Sequence, residues 1–338
     1  MIRRPYLLFL GDTTDDLAVK IGHGLMHWRR DWCVGQCRLP GCRPDLGLDD
    51  MSPHEAAAKG AKTLVIAVVN RGGTLPNPWV ATLIEALDAG LDIASGMHMR
   101  LAGVAEIGAA AARTGAILHD VRHAGRAFVP GTGAPRPGRR LLTVGTDCSV
   151  GKMYTALALE HEMRARGLDA DFRATGQTGI LIAGEGVAVD AVIADFISGA
   201  VEALTPAADP DHWDVIEGQG SLNHPSYAGV SLGLLHGAQP DALVLCHEPT
   251  RTHLRGLPGR PLPDLRACLD NHLAAARLTS PHARFLGVSV NTAALDEDAA
   301  SICLAALERE TGLACVDPMR GGIARLVDAL MAADAEDG

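Results

Sequence analysis

Aromatic side chains are scarce in this chain of 338 residues: Phe, Trp and Tyr together make up 4%. With so few large flat anchors, any interior has to be built from small aliphatic residues. Other absences bear on function. There is no long run of lysine or arginine and the formal net charge is −10, so nucleic acid is not an expected partner. The apolar run at 6–10 is too short for a membrane span or a signal-peptide core, and Gly11-Asp12 ends it. The expectation is a cytoplasmic protein with no membrane partner. The eight cysteines lack CxxC pairs, so no disulfide framework is indicated. Cys33, Cys37 and Cys42, with His23 and His27 upstream, read as reduced structural thiols rather than metal ligands. No GxGxxG follows the first apolar run, so the dinucleotide fingerprint is missing.

What is present is small and apolar. Hydrophobic residues reach 47% and there are 38 glycines, a mixture suited to α/β layers with close helix–sheet packing. The length allows about two domains. Strand signals at 6–10, 63–69, 91–94 and 117–120 alternate with helix signals running toward Trp28 and over 79–89, the pattern of a parallel sheet. The segment PGTGAPRPGRR at 130–140 breaks all periodicity. We therefore place one domain over 1–132, a linker over 133–140 and a second domain over 141–338. In the second domain, strands are expected at 141–144, 213–217, 242–246 and 285–290, and helices at 190–204, 263–277 and 298–311.

The second domain opens on a P-loop. The strand LLTV is followed by Gly145-Thr146-Asp147-Cys148-Ser149-Val150-Gly151-Lys152 and a helical run from Met153. Such a loop aims backbone N–H groups and a helix N-terminus at one point, which suits phosphate oxygens, and Lys152 adds a positive charge. The residue after the lysine normally supplies a hydroxyl to Mg²⁺. Here it is Met153, whose thioether is a poor ligand for a hard cation. Thr155 is two residues further on, on another side of the helix. The loop is equipped to hold phosphates more clearly than to transfer them.

Three other segments carry polar residues where a ligand would sit. Arg173, Gln177 and Thr178 lie in RATGQTGILIAGEG, a segment able to bring backbone close to a ligand. Asp190 and Asp195 follow in an apolar context. Glu217 ends a strand, and Gln219, Ser221 and His224 follow in a glycine-rich loop. Strand carboxyl ends are where open α/β sheets bind ligands. His247 and Arg251 follow the next strand, while Arg71, His98 and Arg100 follow strands of the first domain. Glu217 reads as a base or a cation holder, and the arginines as candidate carboxylate partners.

The form GTDCSVGK resembles the P-loop of dethiobiotin synthetase, except at Met153. Taken together, GTDCSVGK, RATGQTGILIAG, DAVIADFISGA, WDVIEGQGSLNHPSYAGVSLGLLHG and PDALVLCHEPTR resemble the D-glutamate N-acetyltransferase family, long carried as a domain of unknown function. FLGDTTDDLAVK and AGLDIASGMH extend the resemblance over essentially the whole chain. It implies an α/β fold with a Rossmann-like N-terminal domain and a P-loop NTPase-like C-terminal domain. It also implies acetyl-CoA as co-substrate, with no metal required, and D-glutamate as the small-molecule acceptor. On that footing the P-loop cradles the coenzyme phosphates, and Glu217, Asp195 or His224 is the base. Arg173, Arg251 or Arg100 holds the substrate, with Gln177, Thr178, Gln219 and Ser221 lining its site. The rivals are an ATP-dependent ligase or kinase of the dethiobiotin synthetase type and a non-catalytic nucleotide- or CoA-sensing protein. A homo-oligomer is left open.

Overall fold

The run YLLFLG forms β1 (Tyr6–Gly11), buried at all six positions. A strand buried on both faces shows no alternation, which is the mark of a parallel sheet covered by helices on each side. The computed structural model describes residues 1–69, 72–123 and 125–337, in two compact units. The first comprises residues 1–126 with 176–191, and the second 127–175 with 192–338. The division thus falls at Arg126/Ala127, ahead of the Pro/Gly/Arg-rich 133–140, and a later segment is returned to the first unit.

After β1 the first unit runs through α1 (Lys20–Trp28), β2 (Cys33–Arg38), α2 (Pro53–Ala58), β3 (Thr63–Ile66), α3 (Val80–Asp88), β4 (Asp92–Ser95), α4 (Ala105–Thr114) and β5 (Leu118–Asp120). The strands pair in parallel in the order β2-β1-β3-β4-β5. Local chemistry sets the helix ends. Ser52 and Glu55 cap α2 reciprocally behind Pro53 at its first turn. Gly115 at φ +74 closes α4. Cys33 and Cys37 are buried along β2, where burial pushes both thiols up to about 12.

The second unit contains β6 (Arg139–Gly145), α5 (Lys152–Ala165) and β7 (Ala170–Arg173). The chain then passes through α6 (Gln177–Ala183), which belongs to the first unit. It continues with α7 (Ile197–Leu204), β8 (Trp213–Ile216), α8 (Ala228–Ala238), β9 (Ala242–His247), α9 (Leu265–Ala276), β10 (Arg284–Val290), α10 (Glu297–Thr311), β11 (Ala314–Val316) and α11 (Ala324–Asp337). All pairings are parallel, in the order β11-β10-β9-β6-β8-β7. β6 lies between β8 and β9, which the chain reaches by leaving toward opposite sides. That is the switch point at which open α/β sheets bind ligands.

The helix expected over 190–204 is not continuous. Residues 189–191 and 194–196 form separate 3-10 turns, and α7 begins only at Ile197. The break coincides with the passage between units at Ala191/Val192. Asp190 pairs with Arg122, which ties the first turn to its own unit.

Ahead of β6, the Arg136 guanidinium donates to Thr205 O at 2.6 Å and to Gly237 O at 2.8 Å. This cation sits against carbonyls at the negative end of α8 and fixes the approach to the P-loop strand. Among the described residues, no helix is long and apolar enough to cross a membrane.

Candidate active site

β6 delivers the P-loop at the middle of the second sheet. Thr146 N donates to Cys246 O at 3.0 Å, carrying the β6–β9 ladder into the loop. Ser149 at φ +55 and Gly151 at φ +103 both adopt the left-handed region, which folds successive N–H groups into a concavity ahead of α5. Gly145 is required for a steric reason: a Cβ there would lie 2.9 Å from Val150 and 3.0 Å from Lys152 Nζ. Lys152 is buried and its Nζ donates to Asp147 O at 2.8 Å. Burial lowers its pKa, since the charged amine is poorly solvated there. Met153 occupies the position of the missing hydroxyl. Thr155 cannot replace it, because its Oγ1 is turned into the sheet, 2.7 Å from Ser289 Oγ and 3.1 Å from Gly151 O.

Asp147 shapes the loop from within. Its Oδ1 accepts from Cys148 N at 2.7 Å, and its Oδ2 accepts from Arg251 Nη1 and Arg255 N, each at 2.7 Å. Burial alone would push this carboxyl up, but the hydrogen bonds from Arg251, Cys148 and Arg255 outweigh it and hold it below the usual range. Arg251 also donates to Cys148 O at 2.6 Å and Ser149 O at 3.2 Å and pairs with Glu248. It therefore braces the P-loop. The Cys148 thiol is pushed up by burial, against the pull of the Lys152 charge.

A second loop closes on the first. Glu217, buried directly after β8, accepts from Thr175 N at 3.0 Å through Oε2, and its carbonyl accepts from Thr175 Oγ1 at 2.5 Å. Gly218 N donates to Thr143 Oγ1 at 3.0 Å. A Cβ at Gly218 would come within 1.7 Å of Thr143 O, so only glycine lets this loop pass so close to β6. The same Cβ would lie 2.9 Å from Lys152 Cδ, which puts Glu217 and Lys152 on adjoining segments. Gln219 Nε2 donates to Thr175 Oγ1 at 3.2 Å, and Ser221 Oγ donates to Thr146 O at 3.1 Å.

His224 is buried, with Nδ1 accepting from Ser226 N at 3.2 Å. That assigns the ring proton to Nε2, which lies 3.0 Å from Arg255 O. Potential ligand atoms of Asp147, Cys148 and His224 fall within 4.8 Å of one another. Both Asp147 oxygens and both His224 nitrogens are already engaged, and Lys152 and Arg251 border the group, so it suits an anion better than a cation. His247, whose Nδ1 is 3.2 Å from Thr146 Oγ1, is pushed by burial down to about 4 and is neutral at pH 7.

The remaining candidates are placed differently. Arg173 stands opposite Ile216, yet its Nε donates at 2.5 Å to Asp214, two residues back along β8. Its guanidinium thus turns away from the strand carboxyl ends. Asp195 is exposed on its 3-10 turn. Gln177 and Thr178 open α6 in the first unit, and the Gln177 side chain packs on Gly96, where a Cβ would lie 2.4 Å from its Oε1. Arg100 is exposed in the first unit, and Arg71 lies outside the described residues.

Sequence reasoning missed Thr175, which bonds through its N–H and its hydroxyl, and Arg255, which bonds through its backbone; neither set of contacts carries a sequence signature. It also missed His272. His272 is buried beside a narrow cavity walled by Thr143, Gly145, Gly218, Ser221 and Ser231, and burial pushes it down to about 4.

Comparison with known proteins agrees with this architecture. Residues 128–327 match a domain of unknown function described as the DUF1611 C-terminal P-loop domain, and residues 38–124 match the DUF1611 N-terminal Rossmann-like domain. A D-glutamate N-acetyltransferase of Tritonibacter scottomollicae is 55% identical over 332 residues, covering 98% of this chain and 100% of its own length. A second, from a Pseudoalteromonas species, is 50% identical over 326 residues, covering 96% of this chain and 98% of its own. The crystal structure of a DUF1611 family protein from Anabaena variabilis superimposes with a TM-score of 0.87 at 34% identity, covering 98% of this chain and all of that one.

Proposed function

The chain belongs to the DUF1611 family, with its Rossmann-like and P-loop domains, and from that premise we propose that it transfers an acetyl group from acetyl-CoA to the amino group of D-glutamate. We place the reaction in the cytoplasm, as a step of D-amino-acid catabolism. Two relatives that match it over nearly their whole length bear the name of this activity.

The observation that carries the donor assignment is the P-loop. It keeps the concave backbone and Lys152, but sets Met153 where a Mg²⁺-binding hydroxyl would be, with Thr155 turned into the sheet. Coenzyme A carries a pyrophosphate, and the residues present fit it: backbone N–H groups of 149–152 and Lys152 would hold these phosphates without any phosphoryl transfer. Bound acetyl-CoA supplies an activated acyl thioester.

The chain's own task is to deliver a neutral amine and to position it. The amine nitrogen forms the new bond to the acyl carbon, the carbon–sulfur bond breaks, the ammonium proton goes to a base and the departing sulfur is protonated. Glu217 is the base on this reading: it is buried, directly follows β8 and adjoins Lys152. His224 has both nitrogens engaged, and Asp195 is exposed to water. Arg173 and Arg251 are engaged with Asp214 and the P-loop, while Arg100 keeps its guanidinium exposed.

Calorimetry separates the readings. Acetyl-CoA is expected to bind without Mg²⁺, and Lys152→Ala to weaken it by roughly tenfold or more, the scale of a lost charge-assisted phosphate contact. Tight Mg²⁺-dependent ATP binding would instead favour the ligase reading. Thiol release with a panel of D- and L-amino acids then identifies the acceptor.

A further inference from the structure

Arg251 and Arg255 reach the P-loop from the same connection after β9, yet they are used in opposite ways. The Arg251 guanidinium is engaged by Asp147, Cys148 O, Ser149 O and Glu248. Arg255 is held instead by its backbone: its N–H donates to Asp147 Oδ2 at 2.7 Å, and its carbonyl faces His224 Nε2 at 3.0 Å. Its side chain is exposed, and among the described residues its guanidinium has no hydrogen-bond or ion-pair partner.

The backbone around it is fixed. Leu257 N donates to Leu254 O at 2.9 Å, closing a four-residue turn with Arg255 second and Gly256 third at φ +78, the type II pattern that needs glycine there. Leu254 N also donates to Arg260 O at 2.8 Å, and His253 bridges Pro261. Arg255 is thus a cation on a rigid mount one hydrogen bond from the P-loop carboxylate. Its charge is felt at Cys148, where it opposes the rise of the thiol pKa.

We propose that Arg255 is a specificity-determining residue for the donor, its guanidinium reading the 3′-phosphate that distinguishes coenzyme A from dephospho-coenzyme A. This rests on the acetyl-CoA reading above. The P-loop concavity and Lys152 are matched to a pyrophosphate. A further phosphate on the same molecule needs its own cation, beside the concavity but outside it. A guanidinium suits this because its planar fork meets phosphate oxygens in pairs. Arg251 is committed, and Arg260 bonds through its backbone to Leu254 and Leu257 rather than to the P-loop.

The test compares KM for acetyl-CoA and acetyl-dephospho-CoA in the full chain and in Arg255→Ala, Arg255→Lys and Arg260→Ala, with D-glutamate as acceptor. The contacts to Asp147 and His224 are made by the Arg255 backbone, so truncating its side chain leaves them in place. The unaltered chain is expected to favour acetyl-CoA by roughly tenfold in KM, as for one charge-assisted phosphate contact. Arg255→Ala collapses that preference, Arg255→Lys restores part of it and Arg260→Ala keeps it. A preference unchanged in Arg255→Ala, or an equal rise in KM for both donors, overturns this inference alone. No thiol release from either donor by the unaltered chain overturns the acetyl-CoA reading and this inference with it.

Discussion

Two buried ionisable side chains, Lys152 and Glu217, stand on adjoining segments at the carboxyl ends of β6 and β8, and they are assigned different tasks. Lys152 is desolvated, so an arriving anion restores what burial takes from its charged form. Glu217 is held by Thr175 from the neighbouring segment, which orients its carboxylate. If it removes the ammonium proton, Glu217→Gln lowers kcat by about 10²- to 10⁴-fold, the usual contribution of a positioned base. Asp195→Asn, at an exposed position, changes kcat by no more than about twofold. Thiol-release kinetics on the two variants check this, and equal losses would remove Glu217 from the role. The carboxylate at the end of 213–217 was legible because an apolar strand running into Glu-Gly is a visible pattern. The engagement of Arg173 and Arg251 was not. Their partners, Asp214 and Asp147, lie 41 and 104 residues away in sequence, and pairing at that range has no local signature.

At the level of elements, the loop after β8 depends on a glycine without a side-chain role. Gly218→Ala would drive a Cβ toward Thr143 O, so the variant is expected to shift the Glu217 loop and lose most activity. Gly229, in α8, is the contrasting case. A Cβ there would meet nothing within 4 Å, so Gly229→Ala is expected to stabilise by about 0.5–1 kcal/mol through helix propensity. Thermal unfolding with a parallel activity assay separates the two: Gly218→Ala loses activity, while Gly229→Ala gains Tm and keeps activity. Periodicity placed the P-loop strand and its following helix well, because an apolar run, a glycine-rich turn and a lysine are all local. It failed at 190–204, where two 3-10 turns replace the expected helical start. That segment's conformation follows from which unit each turn packs with, and spacing does not encode this.

For the whole molecule, the fold class was readable from the alternation of elements, but the return of 176–191 to the first unit was not. The same tertiary burial sets the response to acid. His247 and His272 are both pushed from 6.5 down to about 4. Between those values the unfolded chain binds protons that the folded one does not, so stability is full above about 6.5 and is lost as pH falls toward 4. The loss is on the order of 3 kcal/mol per histidine. Urea unfolding is expected to show a lower midpoint at pH 4.5 than at pH 7, with a shallower fall in His272→Gln. An unchanged midpoint would mean that these rings are hydrated in the folded state.

Acyl transfer and phosphoryl transfer by this P-loop are separated by incubating the chain with D-glutamate and acetyl-CoA labelled in the acetyl carbon, with ATP and Mg²⁺ supplied in a parallel reaction. Acyl transfer puts label on the D-glutamate nitrogen, one per thiol released, with no need for ATP or Mg²⁺. Label left on the donor while ATP is consumed in a D-glutamate-dependent way would contradict acyl transfer.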